Sequence, residues 1–271
     1  LFGSELKNSP SPALHTNWFH QHGLNVIYLP CQIQEEKIFK STLSNLLSVD
    51  NFQGANITMP FKSTVVEILN IDRSKDVLST GVANTLYKNQ SNKWGLENTD
   101  LTGIAKTIKN LIPENANYNL IVLGGGGVAA SCLYFGDELD SQCQKILCFT
   151  RNPSKTKARF PLLRKNKKLQ LMDSNFDNTN EIKKITSNKD AFLLVINTIP
   201  AENAQEDQKN NLLIQLTKLI SINQICYFDA IYKRTPNIEL AERFGIKCLD
   251  GSMMFEEQAK ESFYLWTGIR F

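Results

Sequence analysis

The stretch YNLIVLGGGGVAASCLYF, residues 118–135, decides the fold of this chain. Apolar, strand-favouring residues from Leu120 to Leu123 run straight into Gly124-Gly125-Gly126-Gly127, and small helix-compatible residues follow. A strand, a glycine turn and a helix in that order predict the opening of a nucleotide-binding βαβ unit. Glycines let the backbone turn sharply and approach a pyrophosphate, and the first N–H groups of the helix attract an anion. Gly124, Gly125, Gly126, Gly127 and Val128 are therefore the first candidate cofactor contacts.

Downstream, strand-like runs at 119–123, 145–150, 191–196 and 224–229 alternate with helical segments near 127–139, 153–165, 178–187 and 206–220. Such alternation predicts an α/β architecture with a parallel, doubly wound, Rossmann-like sheet. The strand KILCFT ends at Thr150-Arg151-Asn152, where an NAD-specific site places an acid for the ribose hydroxyls. No acid stands there. Arg151 does, with Lys155 one helical turn later, and a guanidinium suits a 2′-phosphate. Thr150, Arg151 and Lys155 thus join the cofactor candidates, and NADP is expected over NAD. The further basic residues Lys157, Arg159, Arg164, Lys165, Lys167 and Lys168 read mostly as a solvated face.

Upstream, NVIYLP (25–30) and GANITM (54–59) read as strands, with helices at 12–22 and 34–48. Runs near 83–88 and 92–97 flank the polar turn Asn89-Gln90-Ser91-Asn92 and read as a hairpin. A helix over 100–112 starts at Asp100 as N-cap and stops before Pro113, the natural linker between halves. The last segment, 251–270, is helical with no strand after it, so it is expected to pack back on the first half.

Composition narrows the function. The 271 residues are 42% hydrophobic and 21% charged, as in a soluble globular protein of one or two domains. A net charge of +3 argues against nucleic acid or a membrane surface as partner. No apolar run reaches membrane-spanning length. The chain opens at Leu1, not Met, so a few residues of the natural start are expected to precede it. Six cysteines (31, 132, 143, 148, 226 and 248) form no CxxC pair and read as reduced thiols, several within apolar runs, which favours a cytoplasmic location. His15, His20 and His22 lack the spacing of a zinc helix, and no metal is expected.

The first half carries polar islands among its apolar strands: Ser9-Pro10-Ser11-Pro12, Asn56-Ile57-Thr58-Met59-Pro60-Phe61-Lys62, Asn84-Thr85 and Asn98-Thr99-Asp100. Gln258 on the last helix is a fifth. Hydroxyls, amides, one ammonium and one carboxylate suit a small polyhydroxylated acid. Lys62 is the only basic residue in these first-half islands. If hydride reaches a ketone carbon, charge grows on the oxygen, and an ammonium can stabilise it and deliver the proton.

These islands carry a resemblance to the shikimate dehydrogenases and their quinate/shikimate relatives. Phe2-Gly3 with Ser9-Pro-Ser11-Pro12 and His15 resembles the family's FG…SxSP..H, and GANITMPFK (54–62) its GxNVTxPxK. GVANTL (81–86), ENTD (97–100), GGGGVAAS (124–131), FDAIYKRTP (228–236) and DGSMMFEEQAKESFYLWTG (250–268) resemble further family segments, so the match runs the length of the chain. The resemblance implies a substrate-binding domain of residues 1–105 and 249–271 with a mixed sheet, and an NADP-binding Rossmann-like domain of 106–248. It implies reversible NADP-dependent reduction of 3-dehydroshikimate to shikimate, in the chorismate route to aromatic amino acids, by a monomer or homodimer. It leaves no stretch for a fused second catalytic domain. By position it assigns Ser9, Ser11 and Tyr232 to the substrate carboxylate, and Thr58, Asn84, Lys62, Asp100 and Gln258 to the ring hydroxyls. Lys62 and Asp100 match the catalytic pair.

Some segments depart from the family pattern. Asn197-Thr198-Ile199-Pro200-Ala201-Glu202 lacks the usual Gly-Met, and Met253 stands where glycine is common. The Tyr232–Thr235 segment is shorter, and Leu101 replaces a glycine after Asp100. Most of these fall near the nicotinamide in the family. A paralogue acting on a related acid such as quinate, or a non-catalytic shikimate-binding relative, are therefore the alternatives.

Overall fold

The computed structural model describes residues 1–68, 70–160, 168–173, 179–200 and 206–271. The chain divides into two units, Leu1–Thr99 with Glu257–Phe271, and Asp100–Glu256.

The first unit begins with β1 (Phe2–Gly3), α1 (Ser11–Gln21), β2 (Cys31–Gln32), α2 (Glu36–Leu46), β3 (Gly54–Asn56) and α3 (Thr64–Ile68). It continues with β4 (Asp72–Arg73), α4 (Lys75–Thr80), β5 (Thr85–Lys88) and β6 (Trp94–Glu97). Its main sheet has the order β3-β5-β6-β4. The β3/β5 and β5/β6 pairs are antiparallel and β4/β6 is parallel, so the sheet is mixed. Strands β1 and β2 pair in parallel, and Phe2 bridges in parallel to Ile57 just beyond β3. One apolar residue per helical turn, Phe39 then Leu43, turns α2 inward, where Phe39 stacks on Phe61 at 4.2 Å between centroids. The expected hairpin forms, with the Asn89 side-chain oxygen accepting from the Ser91 and Lys93 amides. The expected strand at 25–30 does not form. Pro30 has no N–H to give a ladder, and pairing with β1 starts only at Cys31. Ile27 and Leu29 are left largely exposed.

The second unit begins with α5 (Asp100–Leu111), β7 (Tyr118–Leu123) and α6 (Gly127–Tyr134), which runs into a π-helical turn at Phe135–Leu139. Then come β8 (Cys143–Thr150), α7 (Pro153–Arg159), β9 (Leu169–Asp173), α8 (Thr179–Ile185), β10 (Phe192–Asn197) and α9 (Glu206–Leu219). The unit closes with β11 (Ile225–Asp229), α10 (Pro236–Arg243), β12 (Lys247–Leu249) and the start of α11 (Ser252–Thr267), whose later turns belong to the first unit. All six strands are parallel, in the order β12-β11-β10-β7-β8-β9. This is the doubly wound arrangement, and the strand order reverses between β7 and β10. Every residue of β7 is buried, as a central parallel strand covered on both faces requires. Strands β1, β2, β4, β9 and β12 and the short helices α3, α4 and α10 were not expected from the sequence. Residues 161–165 of the expected helix at 153–165, and the basic residues Arg164, Lys165 and Lys167, lie outside the described residues. Cys132, Cys143, Cys148 and Cys226 are buried free thiols. Burial pushes Cys143 and Cys148 up to about 12 and Cys226 up to about 11, which keeps them protonated.

Within the first unit an aromatic cluster joins α1 to the last turns of α11. His15 sits at its centre, fully buried, stacked on Tyr28 at 4.6 Å and edge-on to Trp18 and Trp266. Neither ring nitrogen has a hydrogen-bond partner among the described residues. Burial therefore lowers its pKa to about 3. A folded-state pKa below the unfolded value means the unfolded chain binds the proton first. His15 thus supports stability fully above about pH 6.5, and that support is lost as pH falls, by up to about 1.4 kcal/mol per pH unit. The expected result is a melting temperature that drops between pH 6.5 and 5, with a flatter profile in His15→Met. Equal slopes in the two proteins would refute it.

Candidate active site

In the second unit the site residues cluster where the parallel strands end. Gly124 follows β7 with φ +118, in the region open to glycine, and a Cβ there would meet the Thr198 hydroxyl at 2.4 Å. At Gly125 a Cβ would meet the hydroxyls of Thr150 and Thr156 at 2.5 and 2.7 Å. Gly126 differs: its backbone is extended, and nothing lies within 4 Å of a Cβ. Gly127 and Val128 open α6. The loop is thus braced from behind by three threonines and open at Gly126, beside a helix N-terminus. That combination accommodates a pyrophosphate.

The register Leu123↔Phe149 sets the end of β8 beside this loop. Thr150 is buried and shares a 2.9 Å hydrogen bond with Thr156. The Asn152 side chain caps α7 by accepting from the Lys155 amide at 2.8 Å. Arg151 and Lys155 are both exposed, so two cations stand at the strand end next to the glycine loop. They can receive a phosphate on a ribose.

Two further candidates belong to this unit. Asp100 is buried at the first position of α5. Tyr232 follows β11, packs on Phe255 at 5.1 Å between ring centroids and keeps 44% of its surface exposed. Burial of part of the ring, and then the Asp100 carboxylate, raise its phenol pKa. Its hydroxyl therefore stays protonated and can donate a hydrogen bond at neutral pH.

In the first unit, Ser11 is buried at the start of α1 and its amide donates to the Ser9 hydroxyl at 3.4 Å. Thr58 is held by its amide, which donates to the Phe2 carbonyl at 2.8 Å. The peptide bond Met59–Pro60 is cis. Two residues on, the Lys62 carbonyl accepts from the Ala83 amide at 2.8 Å, which fixes the backbone beneath this half-buried lysine.

The structure brings Asn84 and Gln258 together directly: the Asn84 Nδ2 donates to the Gln258 Oε1 at 3.3 Å. Asn84 Oδ1 accepts from the Thr99 amide at 2.8 Å and from the Thr85 and Thr99 hydroxyls at 3.1 Å. Those donors fix which way the amide points. Behind it, Asn56 Nδ2 donates to the Thr85 and Ser262 hydroxyls, and Tyr28 donates to Asn56 Oδ1 at 2.6 Å. Asn56, Thr85 and Thr99 lay in the polar islands without an assigned role. Tyr28 and Ser262 were missed. Ser262 stands four residues after Gln258, on the same helix face, and that spacing was the available signal. Tyr28 offered none, lying in a run that reads as apolar strand.

The candidates therefore fall into two sets. Ser9, Ser11, Thr58, Lys62, Asn84 and Gln258 belong to the first unit, and Asp100, Tyr232, the glycine loop, Thr150, Arg151 and Lys155 to the second. Of the departing segment at 197–202, Ala201 and Glu202 lie outside the described residues. Among the described residues, no three His, Cys, Asp or Glu side chains are grouped to hold a metal ion, and no helix is long and apolar enough to cross a membrane.

Comparison with known proteins gives a concordant answer. The family profile described as the shikimate dehydrogenase substrate binding domain matches residues 1–86. The chain is 29% identical over 274 residues to a shikimate dehydrogenase (NADP(+)) of Prochlorococcus marinus, covering 98% of this chain and 90% of that protein. It is 28% identical to the pentafunctional AROM polypeptide of Schizosaccharomyces japonicus, covering 99% of this chain and 17% of that much longer protein. Among solved structures, the shikimate dehydrogenase of Aquifex aeolicus superposes with a TM-score of 0.77 at 26% identity, covering 100% of this chain and 92% of that one. The first 86 residues thus match the shikimate dehydrogenase substrate binding domain, and the chain along its whole length is similar to shikimate dehydrogenases in sequence and fold.

Proposed function

We propose that this protein catalyses the reversible, NADP-dependent reduction of 3-dehydroshikimate to shikimate, a step toward chorismate and the aromatic amino acids. The observation that carries this reading is the end-to-end similarity to a protein named shikimate dehydrogenase (NADP(+)), over 98% of this chain. The cofactor end supports it. The open face at Gly126, the start of α6 and the cations Arg151 and Lys155 fit a dinucleotide carrying a 2′-phosphate. When bound, NADPH supplies the hydride.

The chain's own residues do the rest. Lys62 gives a proton to the ketone oxygen as charge grows on it, and takes that proton back in the reverse direction. Asp100 is its partner acid. Ser9, Ser11 and Tyr232 hold the carboxylate, with Tyr232 donating from a phenol kept protonated. Thr58, Asn84 and Gln258 hold the ring hydroxyls. The orientation of Asn84 by Thr99 and Thr85 supports this role, because a fixed amide spends no entropy on alignment when a ligand arrives. Residues 1–105 with 249–271 serve the substrate and 106–248 the cofactor. The setting is the cytoplasm, with a monomer or homodimer acting on a small molecule and no nucleic acid or membrane as partner.

Two variants test this reading. Lys62→Ala is expected to lower kcat for shikimate oxidation about 10²- to 10⁴-fold while NADP+ affinity stays within about twofold. Near-normal turnover would remove Lys62 from the mechanism. Gly126→Ala is expected to melt at the wild-type temperature, because its extended backbone and open surroundings accept a methyl group. Its NADP+ affinity is expected to fall about tenfold or more, a loss of roughly 1.4 kcal/mol. Undiminished affinity would place the dinucleotide elsewhere.

A further inference from the structure

Asp229 ends β11 with no exposed surface, and donors from three segments converge on its carboxylate. Oδ1 accepts from the Asn197 side chain at 3.0 Å and the Ile231 amide at 3.2 Å. Oδ2 accepts from the Thr235 hydroxyl at 2.8 Å and the Tyr227 hydroxyl at 3.2 Å. A buried carboxylate is tolerated only where such donors replace its water, and the donors are then fixed in turn.

These donors hold functional ground in place. Ile231 and Thr235 flank Tyr232, so the Tyr232 loop is tied to one carboxylate at both ends. Thr235 also caps α10 through the Ile238 amide. On the other side, Asn197 Oδ1 accepts from the Ile199 amide at 3.2 Å. Between them, Thr198 donates its amide and its hydroxyl to the Leu123 carbonyl, both at 2.8 Å, against the glycine loop.

We propose that Asp229 is a positioning residue. It sets the Tyr232 loop and the Asn197–Ile199 turn from a single buried carboxylate, and through the Tyr232 loop it tunes substrate binding. This rests on the assignment of Tyr232 to the substrate carboxylate. Asp229→Asn replaces one acceptor oxygen by an NH2 group, so it loses either the bonds from Asn197 and Ile231 or those from Thr235 and Tyr227, and each pair holds one end of the Tyr232 loop.

The test uses the full chain as wild type, Asp229→Asn, Thr235→Val and Thr235→Ser. Shikimate KM and kcat are measured with NADP+, NADP+ affinity by fluorescence titration, and amide hydrogen exchange across the second unit. In Asp229→Asn and Thr235→Val, shikimate KM is expected to rise about tenfold or more while NADP+ affinity changes by less than about threefold. Exchange is expected to accelerate at 230–235, and at 197–199 in Asp229→Asn, with β7 and β8 still protected. Thr235→Ser, which keeps the hydroxyl, is expected to behave as wild type. An unchanged shikimate KM in Asp229→Asn overturns the proposal, as does a joint loss of NADP+ affinity and strand protection. Thr235→Ser as impaired as Thr235→Val overturns it too. If wild type turns over no shikimate, the functional reading has failed instead. Asp229 is then judged by exchange alone: loss confined to the two loops upholds its positioning of them, and uniform or absent loss overturns it.

Discussion

The second unit hangs on β7. A parallel strand buried on both faces cannot satisfy its backbone with water, so its neighbours must pair with it: β10 does so in continuous register, and β8 does so from Leu120 on, after a shift beyond Tyr118. The pairing puts Asn197 level with Leu123 and level with Asp229, and Phe149 level with Leu123. Three strand ends therefore finish on one line. The glycine loop, the Thr198 turn, the Arg151 end and the Tyr232 loop are neighbours because the ladder makes them so. The strand order reverses between β7 and β10, and in open α/β sheets the carboxyl ends of the strands at such a reversal are where ligands bind.

The first unit solves a different problem. It buries Asn56, Asn84, Thr85, Thr99 and Ser262 together, and each such group costs on the order of 1–3 kcal/mol if left without a partner. The structure links them into one network closed by Tyr28, in which Asn84 Oδ1 alone takes three donors. Leaving such a network half-satisfied would be worse than an apolar core. Its value is direction: the amide of Asn84 has one orientation only, set by the backbone N–H of Thr99, which cannot turn.

Strong periodicity made the central parts of the fold legible. The continuous apolar run of β7, the glycines after it and the alternating strands β8, β10 and β11 could be read because buried parallel strands have no polar face to blur them. The edges could not. Strand β9, LQLMD, is only half-buried, and β12 is three residues long. The misreading at 25–30 has the same origin: apolar alternation there resembles a strand, yet Ile27 and Leu29 face outward and Pro30 interrupts pairing. Among the site candidates, Lys62 could be singled out as the one basic residue of the first-half polar islands and Arg151 as the cation at a strand end where an acid is usual. Ser262 and Tyr28 were not, because their partner Asn56 is 206 and 28 residues away and only folding makes them neighbours.

The departures from the family pattern gain a physical meaning from these contacts. Thr198 stands in a segment that lacks the usual Gly-Met, yet its amide and hydroxyl both bind the Leu123 carbonyl. The same hydroxyl lies where a Cβ on Gly124 would be. A larger or branched residue at Gly124 is excluded twice over, by the positive φ and by Thr198. Asn197 faces the other way and binds Asp229. The altered segment is thus anchored at its first two residues by the same strand-end contacts that hold the glycine loop and the Tyr232 loop. Both anchors belong to Asn197 and Thr198, so a sequence change later in the segment leaves the contacts to Asp229 and to the glycine loop in place.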